Sequence, residues 1–208
     1  MAGYAQKINQ KMGLVDTVWG FIEGTLRKTC RPTYFQKHVY SGHKRCHGLK
    51  FQSVIIPDGL FACLWGPMND NRHDSHMLRE SQLLIQLQEL MPQDVGVIYS
   101  LYGDPAYPQS ICLFGGYDFA VPGTPEAFWN TNMSKVREVV EWGFKEIRTE
   151  WSFLDFRASM KIFKVPVGSY YTVGAFLCNL RSLFYDNQTA KYFETDTYDL
   201  EQYLSLID

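Results

Sequence analysis

No stretch of this chain approaches the ~20 consecutive apolar residues that a membrane-spanning helix requires, and residues 1–20 hold no apolar signal core. The expectation is a chain without a membrane partner. No Cys-x-x-Cys pair occurs, and the five cysteines (Cys30, Cys46, Cys63, Cys112, Cys178) are odd in number and scattered. That pattern argues against a disulfide framework and predicts reduced thiols, in nucleus or cytoplasm. Surplus positive charge is also missing. With a formal net charge of -2, no global field draws the chain onto nucleic acid, and any contact with a polyanion must be local. Gly115-Gly116 lacks the Lys-Ser/Thr of a P-loop, and no nucleophile elbow is present. Repeats, low-complexity tracts and linkers are absent, so residues 1–208 read as one domain of adequate size for a real core.

What is present is organised around residues 95–108, where an apolar, β-branched and aromatic run stops at Gly103, Asp104 and two prolines. The pattern predicts a buried strand over 95–102 that delivers Asp104 to a cleft. Asp-Pro also begins turns, and on this stretch alone the turn is the simpler reading. A strand over 17–26 carries Glu23 near its end. Residues 47–56 and 60–65, separated by the turn signal at 57–59, predict an antiparallel hairpin. A short helix is expected over 4–14, ended at Gly13, and another over 74–91, ended at Pro92.

Residues 109–133 read as an irregular insertion whose aromatics (Phe114, Tyr117, Phe119, Phe128, Trp129) close over the core or stack on bases. Ser134 is the expected N-cap of a helix running to about 151. At about 100° per residue, Glu141 lies roughly 110° from the centre of that helix's apolar face and Glu138 almost opposite it. Glu141 therefore borders the buried stripe, while Lys145, Glu146 and Arg148 read as a solvated face. A last helix over 170–185 is apolar nearly all round and predicts burial or, through Tyr170, Tyr171, Phe176, Leu180 and Phe184, a self-association face. The tail carries a weak helical signal over 200–207.

The element order predicts an α/β fold, a mixed sheet flanked by helices. Glu23, Asp104 and Glu141 could converge on it, and a hard divalent cation prefers such oxygen ligands. Asp74 sits where a helix N-cap belongs, and capping is its expected role, with ordering of the site as a second. His43, Cys46, His47, His73 and His76 fit no standard zinc spacing, which leaves a zinc hydrolase a distant reading. Two basic groups, Arg27, Lys28 and Arg31, then Lys44, Arg45 and Lys50, flank the proposed site as a candidate DNA-phosphate track.

At these residues the sequence resembles the DDE endonuclease domain of Harbinger-type transposases and the nucleases derived from them. The resemblance rests on GFIEGT (20–25), YSGHKRCHGLKFQ (40–52), NRHDS (71–75), YGDPAYP (102–108) and VREVVEWGF (136–144), with further similarity in PVGSYY (166–171) and QTAKYF (188–193). It implies a ribonuclease-H-like fold and a site of Glu23, Asp104 and Glu141 that binds divalent metal, Mg²⁺ or Mn²⁺, to cut or join DNA strands. The family writes Asp-Gly-Thr where this chain has Glu23-Gly24-Thr25. The extra methylene moves the carboxylate by about one bond length, and a misplacement on the order of 1 Å can cost about 10²-fold in rate. The expectation is a weakened endonuclease or, alternatively, an inactive DNA- or protein-binding scaffold. Family members usually carry a helix-turn-helix region ahead of this domain, whereas here about twenty residues precede Glu23. That implies salt-sensitive DNA binding, with affinity supplied by a partner such as a Myb-like DNA-binding protein.

Overall fold

Alternation along β1 (Val18–Lys28) sends Phe21 to one face of the sheet and Ile22 to the other, both fully buried. The computed structural model describes residues 1–12, 14–69, 73–91, 96–154 and 160–205. Gly13, Asn71, Arg72, Pro92, Val95 and Ile207, which figured in the expectations above, lie outside the described residues. Among those described, β1 pairs antiparallel with β3 (Cys46–Ile55), and β3 pairs antiparallel with β4 (Phe61–Asn69). The predicted hairpin over 47–65 is this β3–β4 pair. β5 (Ser100–Tyr102) lies parallel to β1, β6 (Leu113–Phe114) lies parallel to β5, and the short β2 (Tyr40–Ser41) pairs with the start of β3. The order β4-β3-β1-β5-β6 is a mixed sheet flanked by helices, consistent with a ribonuclease-H-like fold.

Both faces are covered, so the central strands are apolar on both sides. Phe21, Phe51, Ile55 and Tyr102 pack with α4 (Pro125–Glu150) and α5 (Val167–Phe184). Ile22, Val54 and Leu101 pack with Leu78 of α2 (Asp74–Glu80) and with Leu83 and Leu87 of α3 (Leu83–Leu90). The N-terminal α1 (Ala2–Met12) contributes Ile8 to the first layer, and α6 (Gln188–Phe193) contributes Phe193. The C-terminal α7 (Leu200–Ser205) places Tyr203 in the second layer. Gly143 lets α4 approach the sheet closely, since a Cβ there would stand 2.6 Å from Ile55 Cδ1.

Several expectations need correction. Among the described residues 96–102 of the strand expected over 95–102, only 100–102 are strand; Val97 and Ile98 are exposed. The helix expected over 74–91 is broken in two. Ser81 Oγ donates to the Leu78 carbonyl and accepts from Gln52 of β3, and Gln82 turns left-handed. Ser134 is exposed mid-helix. The N-cap of α4 lies ten residues earlier, at Thr124, whose Oγ1 accepts from the Ala127 amide while Pro125 fills the first turn. The insertion over 109–133 therefore contributes a strand and the start of α4, with Phe114 and Trp129 packed on the core and Phe119 in solvent. Helix α5 is not buried all round, because Val173, Phe176 and Phe184 face water.

Candidate functional site

The buried half of β1 ends at Ile22, and Glu23 is the first residue past it to be partly solvated, 20% exposed at its side chain. Two strands in parallel register bring Asp104 alongside, since Phe21 pairs with Tyr102 and the chain leaves the sheet two residues later. Asp104 is a turn residue and a site residue at once. Its Oδ1 accepts from the Ala106 amide at 2.6 Å, and its Oδ2 lies 3.7 Å from the guanidinium of Arg137. The same Arg137 Nη1 donates to Glu23 Oε2, so one cation on α4 bridges both carboxylates.

Asp74 lies against Gly24, the residue that follows Glu23, and its charge reaches Glu23. A Cβ on Gly24 would lie 2.9 Å from Asp74 Oδ1, so a larger residue there would push the Asp74 carboxylate aside. Its expected capping role is not what the structure shows. His73 holds the cap position, without a side-chain cap bond, and the Asp74 carboxylate pairs with Lys50 Nζ at 2.9 Å. Tyr107 completes the group. Its hydroxyl is buried without a hydrogen-bond partner among the described residues, and the surrounding Asp74, Glu23 and Asp104 add to burial in pushing its pKa up. Burial likewise raises Glu23, to about 7, with Asp104 and Asp74 assisting and Arg137 opposing.

Glu141 is exposed on α4, one turn beyond Arg137 and therefore on the same side of the helix. It shares with Glu23 the wall of a cavity of about 750 Å³ whose other lining residues include Thr25, Arg27, Lys28, Lys44, Lys145 and Arg148. Asp104 is not among the lining residues. Of the predicted basic residues, Arg27, Lys28 and Lys44 reach this cavity; Arg31 lines another with Lys37 and Tyr40. Arg45 is exposed in the turn before β3, and Lys50 faces Asp74.

Sequence reasoning missed Arg137; Lys145 and Arg148 are solvent-exposed, as expected, and also line the cavity. The signal for Arg137 was its position four residues before Glu141, which puts both on one helix face.

The family model described as DDE superfamily endonuclease matches residues 22–179. The chain belongs to the DDE superfamily endonucleases. No match was found among curated proteins or among solved structures. DDE endonuclease domains generally use divalent metals. In kind, the carboxylates of Glu23, Asp104 and Asp74 are the hard oxygen donors such an ion takes. In arrangement, no three His, Cys, Asp or Glu side chains among the described residues are drawn together as a metal site. The positive charge between Glu23 and Asp104 is that of Arg137. In this DDE domain, a divalent ion held by Glu23 and Asp104 would have to compete with the Arg137 bridge for the same two carboxylates.

Proposed function

We propose that this chain is a transposase-derived, divalent-metal-dependent DNA endonuclease of Harbinger type, acting by phosphodiester hydrolysis or strand transfer. The observation that carries the reading is the composition of the cavity wall. Two carboxylates, Glu23 and Glu141, share it with five cations, Arg27, Lys28, Lys44, Lys145 and Arg148. That combination suits a phosphate backbone held by the cations beside acids able to take a metal. Glu23, Asp104 and Glu141 are the proposed ligands, with Asp74 flanking. Mg²⁺ or Mn²⁺, when bound, would activate the attacking oxygen and stabilise the leaving one. The protein's own part is to position. The basic residues hold the strand, and Arg137 keeps Glu23 and Asp104 from repelling each other until a metal arrives. Harbinger resemblance supports a Myb-like DNA-binding partner and action on nuclear DNA.

A second reading has its own observation. The Arg137 guanidinium already pairs with Glu23 and lies 3.7 Å from Asp104, and Glu23 stands where the family pattern has aspartate. On this reading the domain binds DNA or protein as a scaffold and no longer cuts. Nicking of supercoiled plasmid in Mg²⁺ or Mn²⁺ separates the two. Cleavage by the parent chain that disappears in Asp104→Asn supports the enzyme. Cleavage seen only after Glu23→Asp means that one methylene silenced an intact site. No cleavage by the parent, Asp104→Asn or Glu23→Asp favours the scaffold.

A further inference from the structure

From residue 24 to residue 57 the chain contains no aspartate or glutamate, yet Arg27, Lys28, Arg31, Lys37, Lys44, Arg45 and Lys50 and three histidines fall there. In a protein of net charge -2, this concentrates positive potential along β1 and the chain that follows it. The basic cavity wall of Arg27 and Lys28 leads on to a second cavity, of about 470 Å³, lined by Arg31, Gln36, Lys37, Tyr40 and His47.

Beside that second cavity the surface is aromatic. Tyr34 and Phe35 are 70% and 67% exposed, and Phe163, from the segment before α5, is 67% exposed. The rings of Phe35 and Phe163 lie 6.0 Å apart, and that of Phe35 is 5.9 Å from His38. A hydrogen bond from the Cys30 amide to the Met160 carbonyl, 2.7 Å, ties the two segments together. Both phenylalanines have left-handed backbone, φ 56 and 70. For a bulky side chain that conformation is an outlier, and here it is coupled to solvent exposure of the ring. Neither the backbone nor the burial of Phe35 and Phe163 is favourable for folding, the combination expected where a side chain is held out for a ligand. Lys37, Lys161 and Lys164 are exposed around them.

We propose that Phe35 and Phe163, with Tyr34, form a stacking platform for unpaired bases of a DNA strand whose phosphates lie on Arg31, Lys37, Lys161 and Lys164. Exposed rings among cations are the elements of single-strand recognition. Duplex DNA offers the cations its phosphates but keeps its base faces stacked, so the rings distinguish the two substrates. The inference rests on the reading of the basic cavity as a DNA cleft.

The test is fluorescence anisotropy of the full chain with labelled dT20 and with a 20-base-pair duplex at fixed salt. The parent is expected to prefer dT20, and Phe35→Ala with Phe163→Ala to reduce that preference about tenfold or more. Phe35→Asn with Phe163→Asn tolerates the left-handed backbone and guards against misfolding; it is expected to do the same. No preference in the parent overturns the platform. So does a preference retained by Phe35→Leu with Phe163→Leu, which would mark an apolar surface for another protein. The cleft reading is tested separately by Lys44→Gln with Arg148→Gln, expected to weaken both DNAs. If neither is weakened, the cleft reading fails while the ratio between the two DNAs still judges the platform.

Discussion

Arg137 holds two acids of a nuclease family together with one side chain, and its removal exposes what it was doing. Arg137→Gln leaves Glu23 and Asp104 facing each other half-buried, which is expected to cost roughly 1–3 kcal/mol of stability without metal. The same change frees both carboxylates. Mn²⁺ affinity measured by calorimetry is expected to rise about tenfold or more, as a competing positive charge within a few Å is removed. Unchanged Mn²⁺ binding would show that Arg137 and the metal do not compete. Glu23 adds a pH dependence. Its pKa is raised from 4.5 to about 7, so the folded state holds the proton longer than the unfolded chain. This contribution is complete below about pH 4.5 and is lost as pH rises through 7, on the order of 3 kcal/mol in all. Urea titrations across that window should show the fall. Asp104→Asn removes a charge that raises Glu23, so the window should narrow from its upper end; Arg137→Gln should widen it.

At the scale of elements, the termini of α4 decide where its functional side chains point. Thr124, Pro125 and Glu126 together form the start of this helix, with an oxygen cap, a proline in the first turn and an acid facing the helix dipole. Thr124→Ala is expected to cost about 1 kcal/mol, read as a lower denaturation midpoint with unchanged slope. Gly143→Val, by contrast, would force a side chain into Ile55 and Phe61 and is expected to cost about 1–3 kcal/mol through overpacking. Because Arg137 and Glu141 ride on the helix so displaced, cavity geometry should suffer with stability. The break between α2 and α3 follows similar logic. Hydrogen bonds through Ser81 tie that corner to Gln52 of β3, a tertiary contact that overrides the continuous apolar spacing.

For the whole molecule, charge is segregated although the net is nearly zero. Five cations line the cavity that holds Glu23 and Glu141, and DNA seated there should release counterions accordingly. Arg27 is buried; if the four exposed cations, Lys28, Lys44, Lys145 and Arg148, neutralise phosphates, the slope of log affinity against log salt for duplex DNA is expected near -3.6, at about -0.9 per phosphate. Lys44→Gln with Arg148→Gln should bring it close to -1.8. A slope near zero in the parent would place the DNA elsewhere.

The sequence alone determined the alternating strands, the β3–β4 hairpin, Asp104 just past a strand end and Glu141 on a helix flank; Glu23, expected near the end of its strand, lies in the middle of β1, which runs on to Lys28. Period-2 and period-3.6 burial, and turn chemistry at Pro57, Asp58 and Gly59, are local properties written in neighbouring residues. The start of α4 was equally local and was legible in Thr124 and Pro125, but the aromatic residues around it masked the signal. Only the tertiary structure decided that β6 joins the sheet, that the Asp74 carboxylate pairs with Lys50 instead of capping, and that Arg137 spans Glu23 and Asp104. Each of those depends on side chains far apart in sequence, whose meeting is set by strand register and helix packing and leaves no periodic trace along the chain.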